Sequence, residues 1–297
     1  MATTSLSKIM ARMQDMEKEV IQKTFFGMIY GGFGTGKTTL VAGIARALAK
    51  QEGGRVLYLD SAENFASLDN IPVLKKGLDR IQVKDPKELM TIASAMKSKK
   101  LAHTVLIMDE VDAWFEVILH SYVREVTGTL PTEDLPEIEG KMYAAPTQAM
   151  LNILNAFRSV DDLHIILVAH DQQRGKDPKV FTAPSLPPKL MKGINEKVHV
   201  VGLVEAVIGR DGYTRTLQVN PSKQVVAKSR IGGLPVKVDF KDVPKVIADW
   251  VGGDRMEEDL IAPEPDPEPV DDADVEIPEP DDLDVDEATE VEDEEDD

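Results

Sequence analysis

The feature that most constrains this chain is a glycine-rich stretch, GGFGTGKTT, at residues 31–39. A short apolar run, FFGMIY, ends directly before it, and LVAGIARALAK, whose apolar residues recur at helical spacing, follows it. Strand, turn and helix together satisfy the pattern G-x-x-x-x-G-K-[ST]. In such a turn the glycines let backbone N–H groups face inward around phosphate oxygens, and the helix directs its positive end at them. The stretch therefore predicts a phosphate-binding loop.

The loop residues are candidate nucleotide ligands: Gly31, Gly32, Phe33, Gly34, Thr35, Gly36, Lys37, Thr38 and Thr39. We expect the Lys37 amine to reach the terminal phosphates and the Thr38 hydroxyl to ligate Mg²⁺. The metal needs a further carboxylate from a neighbouring strand. Asp109, which ends TVLIMD, is the candidate, because the carboxyl ends of parallel strands face the ligand crevice.

Strands alternate with helices over the first 196 residues, which predicts βαβ units and a parallel sheet. The expected strands after the loop are RVLYLD, RIQVKD, HTVLIMDE and LHIILVAH. Asp85-Pro86 opens a helix, and residues 171–192 are expected to form a long loop. Beyond residue 196, apolar segments flank Gly209–Gly212 and predict a β-hairpin. Two further strands and a last helix, DVPKVIADWV, complete an α/β fold with a mainly parallel central sheet.

We expect three parts along the chain. Residues 1–22 predict an N-terminal amphipathic helix, since apolar residues recur at steps of three and four. Residues 23–252 form the globular domain. Residues 253–297 form an acidic tail with 24 acidic residues and one arginine, a net charge of −23 that leaves +4 on the rest. The tail cannot bury enough apolar area to fold, so we expect it to be disordered. A basic body with an acidic tail indicates nucleic acid as a partner class.

The composition excludes several classes of site. The chain has no cysteine, so disulfides and thiolate zinc sites are excluded. No apolar run approaches the roughly 20 residues of a membrane span, and the start, MATTSLSK, lacks the layout of a signal peptide. We therefore expect a cytoplasmic protein without a membrane partner.

A nucleotide hydrolase also needs a carboxylate that positions water, and two residues compete for this role. Glu110 directly follows Asp109, and Glu63 follows the strand VLYLD in the stretch DSAEN. Either could instead be a solvated acid at a helix start. The residues alone leave this choice open.

Residues 23–240 resemble the RecA-like ATPases in the stretches GGFGTGKT, LYLDSAE, TVLIMDE, LVAH and AKSR. The resemblance is to the phage group of small RecA-fold ATPases of recombination or single-strand annealing. It implies ATP as the nucleotide and Glu63 as the base that activates water. The pair Asp109-Glu110 is similar instead to AAA+ ATPases, in which the second acid is the base, and DSAE has one residue more than the expected D-x-E. Against an AAA+ protein, the C-terminal portion predicts strands rather than a helical lid.

The resemblance also implies roles outside the loop. A polar sensor at the end of the strand next to TVLIMD matches His170 or Gln172. The pattern K-x-R on a late strand matches Lys228 and Arg230, which would stabilise charge at the neighbouring subunit's nucleotide as an arginine finger does. A homo-oligomer, either a ring or a filament, follows from this arrangement. The N-terminal helix would be exchanged between subunits or would pack on its own core.

Two segments that follow the Asp109 and sensor strands would face DNA, namely residues 128–143 and 171–192. The second segment supplies the DNA-binding candidates Arg174, Lys176, Lys179, Phe181, Lys189 and Lys192. Basic groups with an aromatic ring suit single strands. The alternative is an ordinary solvated loop, but the length of the segment favours function. The acidic tail is expected to compete with DNA for these lysines.

The sequence therefore predicts a Mg²⁺- and DNA-dependent ATPase that binds single-stranded DNA and assists recombination or annealing, in the host cytoplasm if it is of phage origin. The expected partners are single-stranded DNA, further copies of the chain and a single-strand-binding protein. Two alternatives stay open. One is an AAA+-like or helicase-type ring motor or loader in DNA replication, and the other is a slow, nucleotide-switched binding module.

Overall fold

The computed structural model describes residues 24–61, 78–128, 140–175, 179–209 and 212–252. Within these ranges the strands are β1 (Phe26–Gly31), β2 (Val56–Asp60), β3 (Leu78–Gln82), β4 (Val105–Asp109), β5 (His164–Arg174), β6 (Phe181–Pro184), β7 (Val200–Gly209), β8 (Gly212–Gln218), β9 (Lys228–Ser229) and β10 (Lys237–Asp239). The helices are α1 (Lys37–Glu52), α2 (Pro86–Lys97), α3 (Val111–Thr127), α4 (Ala144–Arg158), α5 (Pro188–Asn195) and α6 (Val243–Gly252), with a short 3-10 turn at Gly140–Tyr143.

Six neighbouring strands run parallel in the order β7-β1-β5-β4-β2-β3. Beyond β7, the sheet continues with β8 and β10, which are antiparallel to their neighbours. The short strands β6 and β9 pair antiparallel with β5 and β7. Strand β5, which was expected to carry the polar sensor, lies between β1, which leads into the loop, and β4, which ends at Asp109. This topology confirms the predicted RecA-like α/β fold with a mainly parallel sheet.

Apolar side chains cover both faces of the sheet. In β4, Leu106 and Met108 pack in the core formed with α2, α3, α4 and α5, whereas Val105 and Ile107 pack in the core formed with α1 and α6. Strands buried on both faces are continuously apolar, which explains why VLIM and IILVA read as strands without polar alternation. The polar residues at the strand ends therefore lie outside these two cores, where they can form a site.

The hairpin and the helix start at Pro86 are both confirmed. Strands β7 and β8 pair with Gly209 opposite Gly212. The Asp85 side chain accepts a hydrogen bond from the backbone N–H of Lys87 at 2.9 Å and caps α2.

The long loop predicted for residues 171–192 is wrong. Residues 171–174 continue β5 and pair with residues 181–184 of β6. Gly175 turns the chain with a φ of 93°, and a Cβ atom there would lie 2.1 Å from the carbonyl oxygen of Lys179. Pro188 then opens α5. The polar run DQQR lacks the apolar alternation that indicates a strand, because pairing with β6 in a hairpin stabilises it instead.

Several predicted features lie outside the described residues: the N-terminal helix at 1–22, Glu63, residues 129–139, Lys176 and the acidic tail at 253–297. Among the helices that the structure describes, none combines the length and the apolar character required to cross a membrane.

Trp114 fixes the start of α3 to the edge of the sheet. Its side chain is fully buried, and its indole N–H donates to the carbonyl oxygen of Val83 at 3.1 Å. Val83 directly follows β3, the outermost strand of the parallel sheet. This bond therefore joins the first turns of α3 to the end of that strand. Since α3 begins directly after Asp109 and Glu110, Trp114 also holds the segment that carries these acids.

We expect Trp114→Phe to lower the free energy of unfolding by about 1–3 kcal/mol, because the buried carbonyl of Val83 loses its donor. Urea denaturation of the purified variant measures this. Val117→Ala, at an exposed position of the same helix, is the matched control and should change stability by less than about 0.5 kcal/mol. A Trp114→Phe protein that unfolds at the wild-type midpoint would contradict the role assigned to the indole.

Candidate nucleotide-binding site

The glycine-rich stretch forms the turn that the sequence predicts between β1 and α1. Gly31 ends β1 where a Cβ atom would lie 2.7 Å from the carbonyl oxygen of Val204 on the adjacent β7, so the close approach of these strands requires glycine. Gly36 is the N-cap of α1 with a φ of 98°, a left-handed conformation that glycine adopts without strain. It provides no side-chain cap, and the first turn of α1 contains no acidic residue. The positive end of α1 is therefore left to an anion.

Lys37 lies inside this turn. Its side-chain amine donates to the carbonyl oxygens of Gly31 at 2.8 Å and Gly32 at 3.0 Å. Burial lowers the pKa of this amine, while the nearby carboxylates of Asp109 and Asp171 act in the opposite direction. A largely buried cation held by uncharged carbonyls is well placed to exchange them for phosphate oxygens, which are stronger acceptors.

Thr38 and Asp109 meet at the carboxyl end of β4. The Thr38 hydroxyl donates to Asp109 Oδ2 at 3.3 Å, and the hydroxyl of Tyr58 donates to the same oxygen. Burial raises the pKa of Asp109, against the hydrogen bonds from Tyr58 and Thr38, which favour the carboxylate. Asp60, fully buried at the end of β2, is paired in register with Asp109.

This cluster fits a magnesium ion. Mg²⁺ prefers oxygen ligands and is usually held by one or two protein groups together with water and phosphate. The Thr38 hydroxyl and the Asp109 carboxylate are such a pair, on the first turn of α1 beside the loop. Among the described residues, no group of three or more histidine, aspartate or glutamate side chains is arranged so that it could hold a metal ion. A metal here would therefore depend on the phosphates for its remaining ligands.

Glu110 lies beside this pair in an unusual backbone conformation. It is the N-cap of α3 with a φ of 61° and a ψ of 55°, in the left-handed region that glutamate rarely adopts. Its Oε2 accepts a hydrogen bond from the Ser61 hydroxyl at 3.2 Å, and its Oε1 is 3.8 Å from His170 Nε2. Strained residues of this kind are concentrated at functional sites. Glu63 itself lies outside the described residues, two positions after Ser61.

His170 stands at the end of the parallel part of β5, where the sensor was expected. Its Nδ1 is 2.8 Å from Asp112 Oδ2, and its ring centroid is 4.4 Å from that of Phe33 in the loop. The hydrogen bond with Asp112 raises the pKa of His170, while partial burial lowers it. The imidazole thus links the loop, the acid segment and β5. Gln172, the other candidate, donates instead to the carbonyl oxygen of Pro184 at 3.1 Å.

Lys228 and Arg230 lie near the amino ends of the parallel strands, at the opposite end from the loop. Lys228 pairs with Val201 near the start of β7, and its amine donates to the carbonyl oxygen of Asn195. Arg230 donates to the carbonyl oxygen of Glu196 at 2.8 Å. It lines a cavity of about 290 Å³, whose other charged or titratable lining residues are Arg158, Glu196, Lys197 and His199. Burial, and then the charges of Arg230, Arg158 and Lys228, lower the pKa of His199.

The DNA-binding candidates do not form one flexible loop. Lys179 is exposed next to the β5–β6 turn, with Phe181 partly buried at the start of β6, and Lys189 and Lys192 are exposed on α5. The Arg174 guanidinium instead donates to the carbonyl oxygen of Leu186, and burial lowers its pKa. Arg174 therefore supports the local fold, while three lysines remain available at the surface.

Sequence reasoning missed four residues of this region: Tyr58, Asp60, Asp112 and Arg215. The guanidinium of Arg215 lies 3.4 Å from the position that a Cβ atom on Gly36 would occupy. Asp60 is part of the strand-end stretch LYLDSAE and could have been assigned by the same argument as Asp109. Tyr58, Asp112 and Arg215 follow no motif or spacing, because each reaches the site through contacts between segments far apart in the chain.

The chain was compared with known proteins and structures. No curated protein sequence matched it. Among solved structures, a KaiC-like protein from Pyrococcus horikoshii is 13% identical, with 65% of this chain and 76% of that chain covered and a TM-score of 0.38. The flagellar accessory protein FlaH from Methanocaldococcus jannaschii is 16% identical, with 75% of this chain and 88% of that chain covered and a TM-score of 0.41. Similarity at this level bears on neither substrate nor partner.

A sequence profile described as an AAA domain matches residues 25–231. The matched region begins at β1, contains the phosphate-binding loop and the Asp109 strand, and ends directly after Arg230. Since the match spans well over half of the sequence, this chain belongs to the AAA domain family, and its fold is that of a RecA-like P-loop ATPase.

Proposed function

We propose that this protein is a Mg²⁺-dependent ATPase that binds single-stranded DNA, works as a homo-oligomer and assists homologous recombination or strand annealing. The observation that carries the ATPase part is the contact between Thr38 and Asp109. It lies beside the N-terminus of α1, which has no side-chain cap because its N-cap residue is Gly36. Nucleotide phosphates and a metal ion require these groups side by side.

The loop residues would hold the phosphates and the metal. The backbone N–H groups at the start of α1 bind phosphate oxygens, and the Lys37 amine neutralises the terminal phosphates. Thr38 and Asp109 would hold Mg²⁺. When bound with the nucleotide, Mg²⁺ neutralises charge that develops on the transferring phosphoryl group.

A carboxylate must also orient the attacking water, and we assign this to Glu63. The resemblance to RecA-like proteins supports Glu63, and the contacts of its rival support the same choice. Glu110 already accepts a hydrogen bond from Ser61 and lies 3.8 Å from His170, whose raised pKa favours the cation. These two contacts hold the Glu110 carboxylate against Ser61 and His170, an arrangement that suits a positioning role. Glu110 would then position His170 and the start of α3.

The position of Lys228 and Arg230 supports an oligomer. Strands β1 and β7 pair from Gly27 opposite Val200, whereas the loop begins at Gly31. Four residues of extended strand separate these levels by about 13 Å, so the two cations lie near the other end of β1 from their own loop. In a head-to-tail assembly the amino edge of one sheet would meet the loop of the next subunit. There the two cations would stabilise charge on the neighbour's phosphates.

The hairpin that extends β5 supports a link between DNA and the nucleotide. His170 lies beside the loop on β5, and Lys179 is exposed shortly before β6, the strand that pairs with the end of β5. Lysines along a surface neutralise the phosphates of a single strand in a salt-dependent way. DNA bound by Lys179, Lys189 and Lys192 would thus contact the element that carries His170.

The first test is ATP turnover measured by phosphate release. We expect wild-type protein to hydrolyse Mg²⁺–ATP faster with single-stranded than with double-stranded DNA, and Lys37→Ala to show no measurable turnover, because the terminal phosphates lose their cation. Lys50→Ala, exposed in the last turn of α1, is the control and should match wild type. Wild-type turnover in a folded Lys37→Ala variant would refute the nucleotide site, and turnover indifferent to DNA would refute the DNA partner.

The second test separates the two carboxylates. We expect Glu63→Gln to bind ATP with wild-type affinity and to lose most of its turnover, because an amide cannot accept the proton of water. Glu110→Gln should keep turnover within about tenfold of wild type, since its role is positional and a positioning residue leaves the base in place. Single-turnover kinetics beside equilibrium ATP binding measure both. The reverse result would assign the base to Glu110, as in AAA+ ATPases.

The third test addresses action between subunits. We expect Arg230→Ala and Lys37→Ala to be inactive alone and to regain part of the DNA-stimulated turnover when mixed, because an intact loop then meets an intact Arg230. The double variant Lys37→Ala/Arg230→Ala, mixed with Arg230→Ala, supplies no intact partner and should restore nothing. If native mass spectrometry shows mixed oligomers and no turnover returns, Arg230 does not act between subunits.

A further inference from the structure

Arg215 lies against the phosphate-binding loop of its own chain. It belongs to β8, and its Cζ, Nε and Nη1 atoms are all 3.4 Å from the position that a Cβ atom on Gly36 would occupy. Gly36 is the N-cap of α1, where the backbone N–H groups of the helix begin. The guanidinium therefore packs directly against Gly36 of the loop.

The surrounding residues hold this guanidinium in place. Its Cζ is 4.7 Å from the ring centroid of Tyr213 and 5.6 Å from that of Phe240, both within cation–π range. The carbonyl oxygen of Arg215 accepts a hydrogen bond from the backbone N–H of Phe240 at 3.2 Å. Residues two apart in a strand share a face, and Leu217 of β8 lies in the α1 core. Arg215 thus faces α1 on a rigid element.

The cation has no carboxylate partner among the residues that the structure describes. No ion pair with Arg215 occurs within those ranges, and its Nε is buried without a hydrogen-bond partner there. A buried donor left without an acceptor is costly. A guanidinium fixed between two rings, with an unmatched donor beside a loop shaped for phosphate, is suited to an anion that the protein itself does not supply.

We infer that Arg215 is a phosphate-binding residue of the nucleotide site, supplied by the same subunit that supplies the loop; the inference rests on the proposed nucleotide function. Its place at Gly36 indicates the phosphates that backbone N–H groups hold, which in this loop pattern are the α- and β-phosphates. Lys37 serves the terminal phosphates. Arg215 therefore contacts the part of the ligand that ADP and ATP share.

This role differs measurably from that of Arg230. A contact made equally to substrate and product strengthens binding of both and leaves the rate at saturation unchanged. A contact between subunits that forms as charge develops changes that rate. Arg215 should thus govern nucleotide affinity, and Arg230 the turnover number.

The experiment measures Mg²⁺–ADP and Mg²⁺–ATP dissociation constants by calorimetry on the full chain, beside steady-state ATP turnover. We expect Arg215→Ala to weaken binding of both nucleotides by about 10- to 100-fold, the range for a lost hydrogen bond to a charged group. The ATP concentration that gives half-maximal turnover should rise in the same direction. Arg215→Gln, which keeps the aliphatic stem against Tyr213 and Phe240, should show the same loss and keeps the test valid if the alanine variant fails to fold. Lys237→Ala removes a cation on neighbouring β10 that pairs with Glu205 and should bind nucleotide as wild type does.

Each outcome decides between the claims. If folded Arg215→Gln binds Mg²⁺–ADP within about twofold of wild type, a change too small for any lost charged contact, then Arg215 only packs between the two rings and the inference is overturned. If affinity is unchanged and turnover falls, Arg215 acts in the reaction rather than in binding, which also overturns it. If wild-type protein itself binds neither nucleotide, the proposed function fails first.

Discussion

The parallel pairing of β1, β5 and β4 is the constraint on which the candidate site depends. Parallel strands end at the same edge, so Gly31, His170 and Asp109 reach one crevice although they are far apart in sequence. Burial of these strands on both faces removes any freedom to slip in register, because a one-residue shift would turn apolar side chains into the wrong core. The acids and the imidazole are therefore positioned by the apolar packing beneath them.

The crevice combines buried charges of both signs, and their balance explains the directions of the pKa shifts. Burial lowers the pKa of Lys37 and raises that of Asp109, while each group opposes the shift of the other. A bound nucleotide with its metal would add charges of both signs to the same place. Such a site suits a ligand that carries charge itself, since uncompensated buried charges are expensive.

Two sets of cations lie at opposite ends of the parallel strands, and this placement fits two different roles. Arg215 packs on the loop of its own chain, whereas Lys228 and Arg230 are turned toward the amino edge. The first arrangement suits binding within one subunit, and the second suits contact with the next. The β5–β6 hairpin, which continues the strand of His170, supplies the route by which an exposed lysine surface would influence the loop. Each of these roles is a proposal about how one fold couples binding, assembly and turnover.

The sequence by itself determined the loop, the alternation of strands and helices, the hairpin at Gly209–Gly212 and the carboxylate at the end of β4. These follow from local patterns: glycine spacing, apolar runs and turn residues. Tertiary structure decided what depends on strand pairing and on contacts between side chains rather than on the local pattern. The run DQQR became a strand because β6 pairs with it, and Glu110 acquired its contacts from Ser61 and His170. Arg215 reached Gly36 because β8 extends the sheet beyond β7, so that a residue with no motif of its own meets a loop nearly two hundred positions earlier in the chain.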